Sequence, residues 1–163
     1  MRASVERHLG SRQVSKVVYG SIIGMALIVA LEGHPPGPGV MAVWLLGTAI
    51  AVGLAEVYSE VVGTETSTRH PVSRPELRQM FESAAAVAAG VAFPAVFFLL
   101  SALHLFAVET AFSIAKWTGL GLIGFYGFWA ARFAGATTRR ALVKGAEVAL
   151  IGAGLILLKS LVH

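Results

Sequence analysis

Five long apolar runs, separated by short polar or glycine- and proline-rich segments, constrain this chain more than any other feature of its sequence. The runs begin at Val17, Val40, Ser83, Ala111 and Ala141. Apolar residues make up 56% of the 163 residues and charged residues 13%, about half the charged share of an ordinary soluble domain. A soluble protein of this size cannot bury so much apolar surface. The sequence therefore predicts an all-α integral membrane protein whose first partner is the lipid bilayer.

Each run is long enough for a helix of roughly 20 residues, which spans about 30 Å of hydrocarbon. The five predicted transmembrane helices cover residues 17–32, 40–62, 83–108, 111–133 and 141–159. Residues 1–16 form a basic cytoplasmic N-terminus, residues 17–163 a single transmembrane domain, and residues 63–82 a short cytoplasmic segment within it. The first run can also be interpreted as a signal peptide. No small-residue cleavage site follows it, however, and four more apolar runs come after it.

Local residues predict where helices begin, end and bend. Residues 32–39 form a turn, because their prolines and glycines cannot continue a helix. Ser73 is a typical N-cap, with Pro75 and Glu76 in the first turn of the helix that follows. Pro94 predicts a kink near the middle of the third span.

Basic residues predict the orientation, because cytoplasmic loops carry an excess of Lys and Arg. The first and third loops hold none. The basic residues lie instead in the N-terminus, the second loop and the fourth loop, at Arg2, Arg7, Arg12, Lys16, Arg69, Arg74, Arg78, Arg132, Arg139 and Arg140. This pattern places the N-terminus in the cytoplasm and the C-terminus outside. It also argues against a nucleic-acid partner, despite an isoelectric point near 9.9.

The acidic residues exclude several kinds of chemistry. All nine are Glu, and the chain contains no Cys. An aspartyl nucleophile, a metal site built on Asp and a disulfide framework are therefore excluded. No Ser, His and carboxylate positions converge on a nucleophile and its base, so we expect neither an enzyme nor a cofactor, although a divalent metal ion is a candidate substrate.

Four Glu residues are candidates for an ion pathway. Glu56 and Glu60 stand four residues apart and so share one face of the second helix. Glu82 opens the third helix and Glu147 lies near the inner end of the fifth, which places all four at one depth. Carboxylates from several helices facing a shared cavity bind cations or carry protons. The other interpretation is that these Glu residues reach the interface or form ion pairs, for example Glu147 with Lys144 three residues earlier.

Glu56 is central to this hypothesis, as a metal ligand or a proton carrier. Tyr19 and Ser21 are expected to line the first helix where it faces Glu56.

Two His residues are candidates for a site at the outer face. His34 and His104 are expected there beside Glu32 and Glu109, and a metal or pH-sensing site is one interpretation of this grouping. No two His residues have the spacing of a ligand pair. Solvated loop histidines are the simpler interpretation.

Small residues recur at helical spacing in the first and fifth spans. Gly20 and Gly24 form one small-x-x-x-small pair, and Gly145, Ala149 and Ala153 form a similar stripe. Such residues allow helices to approach closely. Packing within the protomer is the preferred interpretation, and a dimer seam is the other.

The order of these features resembles the vacuolar iron transporter family. Shared features are five spans with the N-terminus inside, a polar segment between spans two and three, and a proline in span three. Three local stretches are similar to that family: residues 17–20, residues 53–59 around Glu56, and residues 129–154 with their Arg pair. The resemblance implies a shared membrane fold, a homodimer, a divalent metal substrate, and Glu56 as a pathway residue.

The chain departs from that family at three places. Ser21, Ile22 and Ile23 stand where the family has Asn-Asp-Gly, so the first-helix Asp is missing. Ala51 and Val52 replace the Ser-Met pair, and the Glu-rich cytoplasmic helices are reduced to a short segment. The fold can be shared while the substrate is not. The overall pattern also resembles small uncharacterised bacterial membrane proteins.

Two functions fit these observations. The first is a small transporter or channel for a cation, either a divalent metal or a proton, working as a homodimer in the bacterial inner membrane. It expects Glu56 to face inward, beside polar groups or a symmetry mate. The alternative is a non-catalytic membrane scaffold or accessory subunit that binds partner helices. It expects Glu56 to be paired with an Arg or to reach the lipid interface, with no cavity.

Overall fold

The computed structural model describes residues 12–162, and within that range the chain is helical with no strand. The all-α class is therefore confirmed for the described residues. The helices are α1 (Arg12–Leu31), α2 (Pro38–Thr68), α3 (Arg74–Ala92), α4 (Ala95–Ala102), α5 (Val108–Phe133) and α6 (Thr138–Val162). Residues 1–11 of the basic N-terminus, with Arg2 and Arg7, lie outside the described residues.

Two helices are long and apolar enough to cross a membrane, α1 over Val14–Leu31 and α2 over Pro38–Thr68. A third span is added if α3 and α4, which are bent by 45° at their junction, count as one. Helices α5 and α6 contain 26 and 25 residues, enough to cross about 30 Å, but they are not among the candidate spans found in the described residues. The chain thus has the helices of an integral membrane protein, with two or three candidate spans.

The predicted helix signals are confirmed at three places. The turn predicted over residues 32–39 is observed over 32–37; Pro38 and Gly39 lie in the first turn of α2, where the missing N–H of a proline costs no helix hydrogen bond. Ser73 caps α3, and its N–H and hydroxyl both donate to Glu76 Oε2, at 2.8 and 2.6 Å. These hydrogen bonds lower the pKa of the exposed Glu76 carboxyl, which lies in the polar segment before the third apolar run. Pro94 interrupts the helix between α3 and α4.

Helix α2 is longer than the sequence predicts. It continues past residue 62 to Thr68, where the hydroxyls of Ser67 and Thr68 donate to the Thr64 carbonyl at 3.0 and 2.8 Å. It ends where Arg69 adopts a left-handed φ of 58°. The polar segment over 63–82 is therefore largely helical, with a short turn between α2 and α3. At 1.5 Å per residue α2 is about 46 Å long, so it extends beyond a hydrocarbon core of about 30 Å.

The helices pack around a core shared by α1, α2, α4 and α5. Phe98 and Phe112 meet edge to face there, with ring centroids 4.8 Å apart, and both are buried with Met41 and Leu45. Large apolar side chains also cover outward surfaces, as along α2 at Val43, Trp44, Leu46, Ile50, Leu54, Tyr58 and Val62. An exposed apolar face of this length suits contact with lipid.

Glycines allow α1 and α3 to cross with their backbones close together. Helices α1 and α3 pack extensively against each other, and Gly20, Gly24 and Gly90 lie at their contact. A Cβ atom on Gly20 would overlap the Val87 carbonyl oxygen, and one on Gly24 would lie 2.9 Å from the Val91 carbonyl oxygen. In this protomer the Gly20–Gly24 pair therefore faces α3.

Candidate functional site

Lys16 joins two of the predicted pathway carboxylates. Its ammonium group donates hydrogen bonds to the Oε1 atoms of Glu56 and Glu60, the second at 2.9 Å. Lys16 lies near the start of α1, and the two Glu residues lie one turn apart on the facing side of α2. We refer to Lys16, Glu56 and Glu60 as the charge cluster.

The charge cluster is largely shielded. The exposed fractions of the Lys16, Glu56 and Glu60 side chains are 24%, 16% and 29%. Two carboxylates share one ammonium group, so the fully ionised cluster carries one excess negative charge. The ion pairs therefore connect α1 to α2 near the start of α1.

The other two candidate carboxylates do not join the cluster. Glu82 pairs with Arg78 at 3.3 Å and Glu147 pairs with Lys144 at 2.7 Å, each on its own helix. Both Glu side chains are more than half exposed. Exposed pairs of this kind contribute about 1 kcal/mol or less. The Lys144–Glu147 contact agrees with the alternative interpretation of Glu147, in which it forms an ion pair with the Lys three residues earlier.

Tyr19 and Ser21 lie on different sides of α1. Tyr19 is 51% exposed, whereas Ser21 is fully buried. The Ser21 hydroxyl donates to the Val17 carbonyl at 2.8 Å, within its own helix. The Ser21 backbone lies against Gly90, at the crossing with α3. Neither side chain has a hydrogen bond to the charge cluster among the described residues.

The outer-face histidines are both exposed. His34 lies in the turn between α1 and α2, and His104 lies in the loop before α5 with a left-handed φ of 62°. No group of three or more His, Asp or Glu side chains in the described part of the chain is arranged to hold a metal ion. Neither histidine is therefore part of such a group in this protomer.

An ion pair that the sequence did not reveal lies near these loops. Lys116 Nζ lies 2.5 Å from Glu32 Oε1, and the exposed fractions of the two side chains are 19% and 32%. The pair links the end of α1 to α5. Because the two residues are 84 positions apart, no local spacing signals the contact.

The small-residue stripe of α6 faces α5. A Cβ on Gly145 would lie 2.8 Å from the Gly124 carbonyl oxygen, and the Ala149 Cβ lies 3.5 Å from the position of a Cβ on Gly124. Ala153 continues the stripe and is half-buried. An open groove of about 400 Å³ runs over this contact; we call it the α5–α6 groove, lined by Trp117, Leu120, Gly121, Gly124, Phe125, Phe128, Leu142, Gly145, Ala146 and Ala149.

No protein family model matches the chain, and no curated protein or solved structure is significantly similar to it. The site is therefore interpreted from its own geometry. The sequence singles out Glu56 and Glu60 but indicates Lys16 only as one of the basic residues of the N-terminus. Lys16 and Glu56 are 40 residues apart, so their contact depends on how α1 and α2 pack.

Proposed function

We propose that this protein is a small integral membrane transporter or channel for a cation, and that the charge cluster forms part of its pathway. The observation that carries the proposal is the sharing of one ammonium group by two shielded carboxylates, at the junction of two helices able to cross a membrane. Ionisable groups are costly within transmembrane segments, and they commonly mark ion pathways or proton relays.

The depth of the cluster supports a position at the cytoplasmic mouth. Glu56 follows Pro38, the first residue of α2, by 18 positions, or about 27 Å of helix at 1.5 Å per residue. If Pro38 marks one boundary, Glu56 lies close to the other boundary of a hydrocarbon core of about 30 Å. A cation from the cytoplasm would meet the cluster first.

A proton fits the cluster better than a divalent metal. The Lys16 ammonium already occupies oxygen atoms of both Glu56 and Glu60, and its positive charge repels a second cation. A proton would neutralise the excess carboxylate and leave one Glu–Lys pair in place. The divalent metal that the family resemblance implies is the second candidate substrate, and it would require Lys16 to move away.

The proposal includes five spans, a cytoplasmic N-terminus, an external C-terminus and a homodimer in the bacterial inner membrane. The lengths of α5 and α6 support the two additional spans, and the positions of the Arg residues support the orientation. The exposed apolar face of α2 offers a surface for a second copy. No enzymatic activity and no cofactor form part of the proposal.

The test is ion flux in proteoliposomes. Purified protein is reconstituted, and the initial fluxes of protons, Fe²⁺, Mn²⁺ and Co²⁺ are measured for the wild type and for Glu56→Gln. Glu82→Gln is the matched control, because it removes a carboxylate from an exposed pair outside the cluster. We expect proton flux in the wild type and in the control, and its loss in Glu56→Gln. Equal fluxes in protein-containing and empty liposomes for all four ions would overturn the proposal.

A second candidate function is a membrane scaffold or accessory subunit. The observation that favours it is the pairing of Glu56 with a cation, which this alternative expects, although the partner is Lys16 rather than an Arg. A purely structural cluster predicts that Glu56→Gln lowers the melting temperature while liposomes with wild-type protein stay tight to all four ions. Flux and stability measured on the same samples separate the two functions.

A further inference from the structure

The α5–α6 groove is predominantly apolar. Small residues, among them Gly124 and Gly145, line it together with the aromatic side chains of Trp117, Phe125 and Phe128. None of the lining side chains is charged. Its volume of about 400 Å³ lies within the range of roughly 300–1,000 Å³ that small-molecule sites occupy. The shape and chemistry suit a hydrocarbon chain.

An arginine on each of the two helices lies near the same end of the groove. Arg132 follows Phe128 by four residues on α5, and Arg139 precedes Leu142 by three residues on α6, so each continues the lining face of its helix. Both side chains are exposed. Arg132 donates one hydrogen bond to the Ala136 carbonyl at 2.8 Å, and the guanidinium group of Arg139 has no partner within the described residues. The groove is therefore apolar along its length and positively charged at one end.

We propose that the α5–α6 groove binds an anionic phospholipid, with an acyl chain along the groove and the headgroup phosphate held by Arg132 and Arg139. The site depends on the membrane placement of α5 and α6 proposed above, and it does not depend on transport. Guanidinium groups bind phosphate through paired, charge-assisted hydrogen bonds.

The distribution of charge favours a lipid over another apolar helix. A phospholipid has one charged end and an apolar remainder, which matches a groove with charge at one end only. An apolar partner helix would fill the groove but leave both guanidinium groups without a counter-charge. Basic clusters at the cytoplasmic side of transmembrane helices commonly hold anionic headgroups.

The test compares the melting temperature of the detergent-purified full chain with added phosphatidylglycerol and with phosphatidylcholine of the same acyl chains. Phosphatidylglycerol is expected to raise the melting temperature more, and the double variant Arg132→Gln/Arg139→Gln is expected to lose that difference. Arg74→Gln is the matched control, because it removes an exposed Arg from the other predicted cytoplasmic loop. Loss of the difference in the control as well would show a general charge effect and overturn the proposal.

Two further variants test the groove itself. Gly121→Leu and Ala146→Phe fill it from opposite walls, and a Cβ at Gly121 meets nothing within 4 Å, so the first is expected to fold. Both are expected to abolish the extra stabilisation by phosphatidylglycerol. Retention of that effect in Gly121→Leu, or an equal effect from soluble glycerol 3-phosphate, would show headgroup binding without the groove and contradict the proposal. Equal stabilisation of the wild type by both lipids would also contradict it.

Discussion

At the scale of single residues, the contact between α1 and α3 depends on the absence of side chains. Gly20 and Gly90 allow the two backbones to approach so closely that the Cβ of any other residue would overlap a neighbouring backbone atom. Small residues are how helices achieve close packing where lipid removes the hydrophobic driving force between them. The packing of α1 against α3, and of both against their other neighbours, therefore depends on Gly20 and Gly90.

Gly20→Ala is expected to destabilise the protein by about 1–3 kcal/mol, because the added methyl group overlaps the Val87 carbonyl and forces the helices apart. The measurement is the melting temperature of the purified protein in detergent. Gly47→Ala is the matched control, since Gly47 lies in α2 with nothing within 4 Å of an added Cβ. A melting temperature for Gly20→Ala equal to that of the control would contradict the described crossing.

Lys16→Gln is expected to destabilise the protein by roughly 1–3 kcal/mol, because it leaves two shielded carboxylates without their donor. The triple variant Lys16→Gln/Glu56→Gln/Glu60→Gln is expected to recover most of that loss, since it removes the unpaired charge. Lys144→Gln, which breaks an exposed pair, should change stability by less than about 1 kcal/mol. Equal melting temperatures for Lys16→Gln and Lys144→Gln would show that the cluster is not shielded in solution.

At the scale of helices, the sequence predicts the features that depend on neighbouring residues. The turn over residues 32–37, the cap at Ser73 and the break at Pro94 all follow from local backbone chemistry, and the structure confirms them. The end of α2 is different. The predicted second span ends at residue 62, but the helix continues through the polar residues that follow to Thr68, where the hydroxyls of Ser67 and Thr68 donate to the Thr64 carbonyl.

The sequence alone does not predict which side chains meet between helices. The partner of Glu56 is 40 residues away, and that of Glu32 is 84 residues away. Which of several cations reaches a carboxylate depends on helix rotation and depth, and local periodicity does not fix either. By contrast, the Lys144–Glu147 pair lies within one helix and follows from its spacing of three residues.

The start of α3 carries a pH-dependent interaction. Hydrogen bonds from Ser73 favour the ionised form of Glu76 and lower its pKa in the folded state. Because the folded pKa lies below the unfolded one, the stabilisation is complete above the unfolded pKa and is lost as the pH falls through the folded pKa. An NMR titration of the Glu76 carboxyl should give a pKa below the ordinary Glu value, and Ser73→Ala should raise it. An unchanged pKa in Ser73→Ala would contradict the capping contact.

At the scale of the whole molecule, the proposed topology can be tested directly because the chain has no Cys. Single substitutions His34→Cys and Leu105→Cys are expected to react with a membrane-impermeant maleimide added outside intact cells. His70→Cys and Thr137→Cys are expected to react only after the membrane is permeabilised. Labelling of positions 105 and 137 from the same side would contradict a crossing by α5, and with it the five-span topology.

In the proposed function, a cation passes the cluster of Lys16, Glu56 and Glu60. The most direct measurement is proton flux into liposomes containing wild-type protein or Glu56→Gln, with the melting temperature of each sample recorded alongside. We predict flux in the wild type and flux at the level of empty liposomes in a Glu56→Gln protein that still melts cooperatively. Undiminished flux in folded Glu56→Gln, or none in the wild type, would contradict it.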